Sequence, residues 1–101
     1  MGQRLDLQAL LEQITGPLAV YFQPPANIQI QYPCIVYQRD YASTEFADNR
    51  PYLYEQRYQV TVIDRNPDSE IPKQVAMLPK TLFDRAFVAG NLNHDVFTMY
   101  F

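Results

Sequence analysis

Glycine is scarce in this chain, with three residues in 101 and no two of them close together. A loop that cradles phosphate needs several, so a Walker-type nucleotide site is excluded. No GxSxG, HExxH or paired CxxC stands in its place. Cys34 is the single cysteine, which rules out an internal disulfide and a zinc site built from thiolates. Its neighbours Ile35 and Val36 mark it as a small buried hydrophobe rather than a reactive thiol. Histidine also occurs once, at His94, and lysine only at Lys73 and Lys80. No run of eighteen apolar residues exists, so no helix is expected to span a membrane. The opening MGQRLDLQALLEQ has acids and amides where a signal peptide carries its apolar core. Gly2 does not read as a myristoylation site, because Asp6 stands where that motif requires Ser or Thr. The chain is expected to be made and kept in a cytoplasm, at least at first.

What is present is globular. Hydrophobic residues make up 48% of the chain, enough for one domain over residues 1–101 with a modest core of its own. The net charge of −3 and the pI near 4.9 argue against a nucleic-acid binder, which needs a basic stripe.

Hydrophobic spacing supplies the elements. Leu7, Leu10, Leu11 and Ile14 recur at helical spacing and predict a helix over about 3–15. Asp6 is placed to cap it, Leu5 and Leu10 to staple it, and Gly16-Pro17 to end it. LAVYFQ (18–23) reads as a short strand. NIQIQY (27–32) alternates up to Pro33, which suits an edge strand or an extended approach. CIVYQRDYA (34–42) and YLYEQRYQVTVID (52–64) read as the strands of a long β-hairpin over about 34–64. In the second of these, Tyr52, Tyr54, Tyr58, Val60 and Val62 share one face, broken by Gln56. The polar residues 42–51 between them are expected to form a long connection, with FADNRPY (46–52) at its far end. NPDSE (66–70) opens a second helix over about 69–82, with Asp68 or Ser69 accepting from its first amides and Pro72 in its first turn. Ile71, Val75, Leu78 and Leu82 line one face, and Pro79 should kink or end the helix near Leu78. A C-terminal hairpin over about 83–101 turns at AGNLN (89–93). The order predicts an α+β fold, a mainly antiparallel sheet with two helices packed on one face. The second helix suits a right-handed crossover if its flanking strands are parallel.

Three chemistries compete for these residues. His94, beside Asp95 and near Asn91 and Asn93, has no second histidine or cysteine to complete a metal site, so Asn93 and His94 are expected to bond to local backbone. Asp40, Glu45, Asp48, Asp64 and Asp84 suggest a magnesium-dependent nuclease. The lysines lie on or after the second helix, away from the hairpin that such a site would use. Tyr37, Tyr41, Tyr52, Tyr54 and Tyr58 suggest a stacking platform for single strands. Residues 39–57 hold three bases against four acids, however, and an aromatic face without surplus positive charge is more often core or a protein interface. No enzyme is expected, and no cofactor or metal. The hairpin reads as a contact arm.

YPCIVYQRD (32–40), FADNRPYLYEQRYQVTVIDRNPDSEIP (46–72) and FDRAFVAGNLNHDVFTMYF (83–101) together resemble the small tail proteins of siphovirus-type bacteriophages and prophages, of the tail-terminator or tail-completion family. The likeness covers residues 32–101 and is most specific in YQVTVIDRNPDSEIP and NLNHDVF. It implies a virion protein that self-associates into a ring, expected to have six subunits. The ring caps the head-proximal end of the tail tube, stops its polymerisation and docks to the head connector or stopper protein. DNA passes through the hole without specific binding, and an acidic ring would keep it from sticking. Such families carry no catalytic residues. A closed ring needs a heterologous interface. Arg39, Glu45, Phe46, Asp48, Arg50, Tyr52, Glu55 and Arg57 are the expected assembly residues: Phe46 and Tyr52 anchor, and the charges fix register. The short chain leaves little for extra loops, which keeps a head-closure (stopper) role open as the alternative.

Overall fold

The computed structural model describes residues 4–16, 19–25, 29–47 and 50–101, with backbone alone over 41–55. In chain order the elements are α1 (Arg4–Thr15), β1 (Val20–Phe22), β2 (Cys34–Ala47), β3 (Arg50–Asp64), α2 (Ile71–Ala76), β4 (Thr81–Ala89) and β5 (Leu92–Tyr100). The strands form one sheet in the order β1-β2-β3-β5-β4. β1 runs parallel to β2, and the other three pairings are antiparallel. The expected α+β class therefore holds, with one parallel pair at an edge.

Both helices pack on one face. Leu7 and Leu11 from α1 and Val75 from α2 are fully buried against Ile35, Tyr37, Tyr58, Val60, Val62, Phe97 and Met99. Each fully buried aliphatic side chain contributes about 1.5–3 kcal/mol. The alternation read along β3 is what sends Tyr58, Val60 and Val62 into this core, with Gln56 buried at its rim. β3 and β4 both run antiparallel to β5, which lies between them, so they are parallel to each other. α2 lies in the crossover that such a pair requires.

Several expectations change. α1 starts at Arg4, so Asp6 lies inside its first turn, where an acid favours the helix dipole. Leu5 is exposed rather than stapled. Gly16 does end the helix: it takes φ +100, and its N–H donates to Glu12 O at 2.7 Å. Residues 29–33 carry no strand, and residues 26–28, including Ile28, lie outside the described residues. α2 closes at Ala76, and the chain re-enters the sheet at Thr81, so Leu82 belongs to β4 and is 64% exposed. Pro79 explains the early end, since a helix through it would lose the bond to Val75. Ser69 Oγ accepts from Ile71 N–H at 3.2 Å, as the NPDSE motif suggested. The largest difference is in residues 42–51. Residues 42–47 and 50–51 are strand rather than loop, because the ladder runs on through Ala42↔Gln56 and Thr44↔Tyr54 to Ala47↔Arg50, while 48 and 49 lie outside the described residues. Polar composition concealed the strand pairing there.

Candidate interaction surface

The hairpin outruns the sheet that supports it. β1 stops pairing at Phe22↔Tyr37, and β5 stops at Arg57↔Tyr100, with Phe101 N–H reaching only as far as Gln56 O. From Ser43↔Glu55 outward, β2 and β3 have no strand partner but each other among the described residues. Five residues of β2 (43–47), facing six of β3 (50–55), make at about 3.4 Å each an arm of roughly 17 Å. Register shifts between Arg39 and Tyr41 and between Glu45 and Phe46 add local twist along it.

The root of the arm is pinned on both sheet faces. On the helix side, Arg39 Nη2 donates to Gln56 Oε1 at 3.0 Å, and the Arg39 N–H donates to Gln23 Oε1 at 3.1 Å. On the other side, Arg57 Nε lies 3.0 Å from Asp40 Oδ2. The Arg57 pKa is raised, chiefly by its side-chain hydrogen bond with Tyr100, with Asp40 adding to the effect. These groups fix the angle at which the arm leaves the body. Of the eight expected assembly residues, Arg39 and Arg57 thus have described side chains, and both sit at the root rather than at the tip. The backbone places Glu45, Phe46, Arg50, Tyr52 and Glu55 on the arm, while Asp48 lies outside the described residues.

The competing chemistries fare differently. Among the described residues, no three His, Cys, Asp or Glu side chains gather as metal ligands. Asp40 faces Arg57, Asp84 faces Arg85, and Asp64 Oδ1 accepts from Asn66 N–H, three separate places. Tyr37 and Tyr58 are core residues under the helices, so they cannot offer a stacking platform. The side chains of Tyr41, Tyr52 and Tyr54 lie outside the described residues. His94 Nδ1 contacts Leu92 O at 3.1 Å, the local backbone bond expected of it, while its ring stacks on Phe87 at 4.6 Å. Asn93 reaches further than expected, donating to the carbonyls of Asp64 and Arg65 at the end of β3. Cys34 is fully buried, and desolvation, with Asp64 adding, pushes its thiol up to about 11.

A second surface was not foreseen. β4 closes the sheet on the side away from β1 and exposes Leu82, Phe83, Phe87 and Val88. The sequence carries a trace of this, since FDRAFV places apolar residues on both faces of one strand. Strand order is a long-range outcome, so nothing local identified β4 as an edge. Among the described residues, no helix is long and apolar enough to cross a membrane.

Compared with protein-family models and with curated proteins, the chain matches none.

Proposed function

We propose that this protein is a structural subunit of a siphovirus-type tail, a terminator that caps the head-proximal end of the tube and joins it to the head connector. The observation that carries the reading is the arm: a two-stranded ribbon that continues past its sheet. An isolated ribbon of this kind is marginal in water. Its natural stabiliser is another chain, and a ring of identical copies supplies one at every position. The pinned root and the mixed charges along residues 39–57 suit an element that must meet its neighbour in one register. The acidic balance of the chain suits a channel through which DNA slides. The resemblance in YQVTVIDRNPDSEIP and NLNHDVF supplies the identity of the partners: the tail tube protein on one side and the connector on the other. A head-closure role in the same neck remains the second reading, since the arm serves it equally well.

The test is Arg50→Glu. Arg50 pairs with Ala47 at the last described rung of the arm, far from the core. The variant should keep the wild-type circular dichroism spectrum and melting point, yet leave tails uncapped and overlong when it replaces the wild type in assembly. Normal tails from that variant would remove the arm from the mechanism.

A further inference from the structure

We infer that the outer edge of β4 pairs with β4 of a second copy, antiparallel about a two-fold axis between Asp84 and Arg85. The contact goes beyond the ring reading and does not depend on it.

The edge is unusual in being both open and apolar. β4 ends the sheet, and Leu82, Phe83, Phe87 and Val88 are 64%, 59%, 42% and 68% exposed. Soluble proteins protect such an edge because its free amide and carbonyl groups accept any passing strand. Here the only blunting device among the described residues is the irregularity between Phe83 and Arg85, which leaves Asp84 unpaired, and the charge pair Asp84–Arg85 at 2.7 Å.

That device is complementary to itself. Partners on β5 assign the faces: Thr81, Phe83, Ala86 and Val88 oppose Met99, Phe97, Asp95 and Asn93, so all four lie on the helix side. Leu82, Arg85 and Phe87 oppose Thr98, Val96 and His94, and lie on the other side. Turned about a two-fold between residues 84 and 85, Thr81 meets Val88 of the second copy, Phe83 meets Ala86, and Leu82 meets Phe87. Every pair joins residues of the same face, which strand pairing demands. The bulge is what makes this so, because it shifts the alternation by one residue midway along the strand. Asp84 then meets Arg85 of the second copy, twice. A parallel in-register pairing would set Asp84 against Asp84 and Arg85 against Arg85, so the charges select the antiparallel arrangement. The backbone agrees. Tyr100 N–H donates to Lys80 O, which turns Leu82 towards β5 and directs the amide and carbonyl groups of Thr81 and Phe83 outward. A foreign strand matches this pattern of charge and bulge only by chance, whereas a second copy matches it by symmetry.

The experiment uses the full chain in size-exclusion chromatography with light scattering, over a concentration series. Wild type should show a dimer whose fraction rises with concentration. Asp84→Arg places like charges across the axis and should shift the dissociation constant at least tenfold towards monomer. The double swap, Asp84→Arg with Arg85→Asp, restores every pair across the axis and should restore the dimer. Circular dichroism checks that each variant folds. Disulfide trapping then tests the register. Leu82→Cys chains mixed with Phe87→Cys chains should cross-link to each other. Leu82→Cys chains alone should not, because the two copies of position 82 stand five residues apart along the strand, about 17 Å. A wild type that stays monomeric throughout, a double swap that fails to restore mass, or an assembly indifferent to Asp84→Arg would each overturn the inference. An assembly lost with Arg50→Glu but untouched by Asp84→Arg would belong to the arm alone, and would overturn the edge pairing while sparing the ring.

Discussion

The Tyr37 hydroxyl on β2 donates to Gln8 Oε1 of α1 at 2.5 Å, and it accepts from Arg4 Nη1 at 3.2 Å. Arg4 also lies over the Phe22 ring at 4.4 Å, while that ring packs 4.9 Å from Tyr37. One buried phenol therefore ties the first helix to the first two strands. Burial raises its pKa, and the Arg4 hydrogen bond partly opposes the shift. Without Gln8 and Arg4 the hydroxyl would be a buried polar group lacking partners, so helix and sheet are specified against each other here.

Tyr37→Phe should cost about 1–2 kcal/mol in chemical denaturation. The ring still fills its site, so the loss comes from the hydroxyl and from the two α1 groups it leaves without that partner. A variant as stable as the wild type would mean that solvent satisfies these groups and that the tie contributes nothing.

Gly90 and Asn91 turn the β4–β5 hairpin with φ of +57 and +63, the pair of left-handed conformations that a two-residue hairpin favours. A Cβ at Gly90 would meet nothing within 4 Å, so a substitution there is opposed by the backbone alone. Gly90→Ala should therefore lose about 1 kcal/mol, readable as a lower urea midpoint with an unchanged slope. A changed slope would point instead to an altered denatured state.

Cys34 should resist alkylation in the native protein near neutral pH. Its thiol is pushed up to about 11 and is buried, so both the thiolate and access to it are lacking. Labelling with iodoacetamide should follow the unfolding curve in urea. Fast labelling without denaturant would show that the core opens locally at the end of β2.

Burial raises the Asp95 carboxyl above its ordinary range, against an opposing pull from His94. The folded state thus binds this proton more tightly than the unfolded one. Ionisation weakens folding as pH rises from the unfolded pKa through the folded one, and the deficit vanishes below both. Asp95→Asn should raise the melting temperature on the order of 2 °C at pH 7. The difference should be absent at low pH, where the native carboxyl is already protonated. A gain that persists in acid would indicate better hydrogen bonding by the amide rather than relief of charge.

Local periodicity carried far in α1 and β3, which bury one face each, whereas β2 buries the adjacent Cys34 and Ile35 and β5 the adjacent Val96 and Phe97. Leu7 and Leu11 fell at helical spacing and are buried, and Tyr58, Val60 and Val62 alternated and are buried. Gly16 and Pro79 marked ends through conformations that any surroundings would impose. The pattern failed in the outer part of the β2–β3 hairpin and before β2. Residues 42–51 looked like a connection because their sequence is largely polar and shows no regular alternation of apolar and polar residues. NIQIQY did alternate, but no strand forms over its described residues, 29–32.

Amino-acid order by itself determined the class of fold, the faces of the central strands and the places where helices stop, since these follow from interactions between residues close along the chain. Only the tertiary structure decided that β4 lies at the edge, that Tyr37 meets Gln8 across 29 positions, and that the arm outruns its neighbours. Those outcomes depend on which distant strands pair, and that choice is settled by the fit of whole surfaces rather than by any one stretch of sequence.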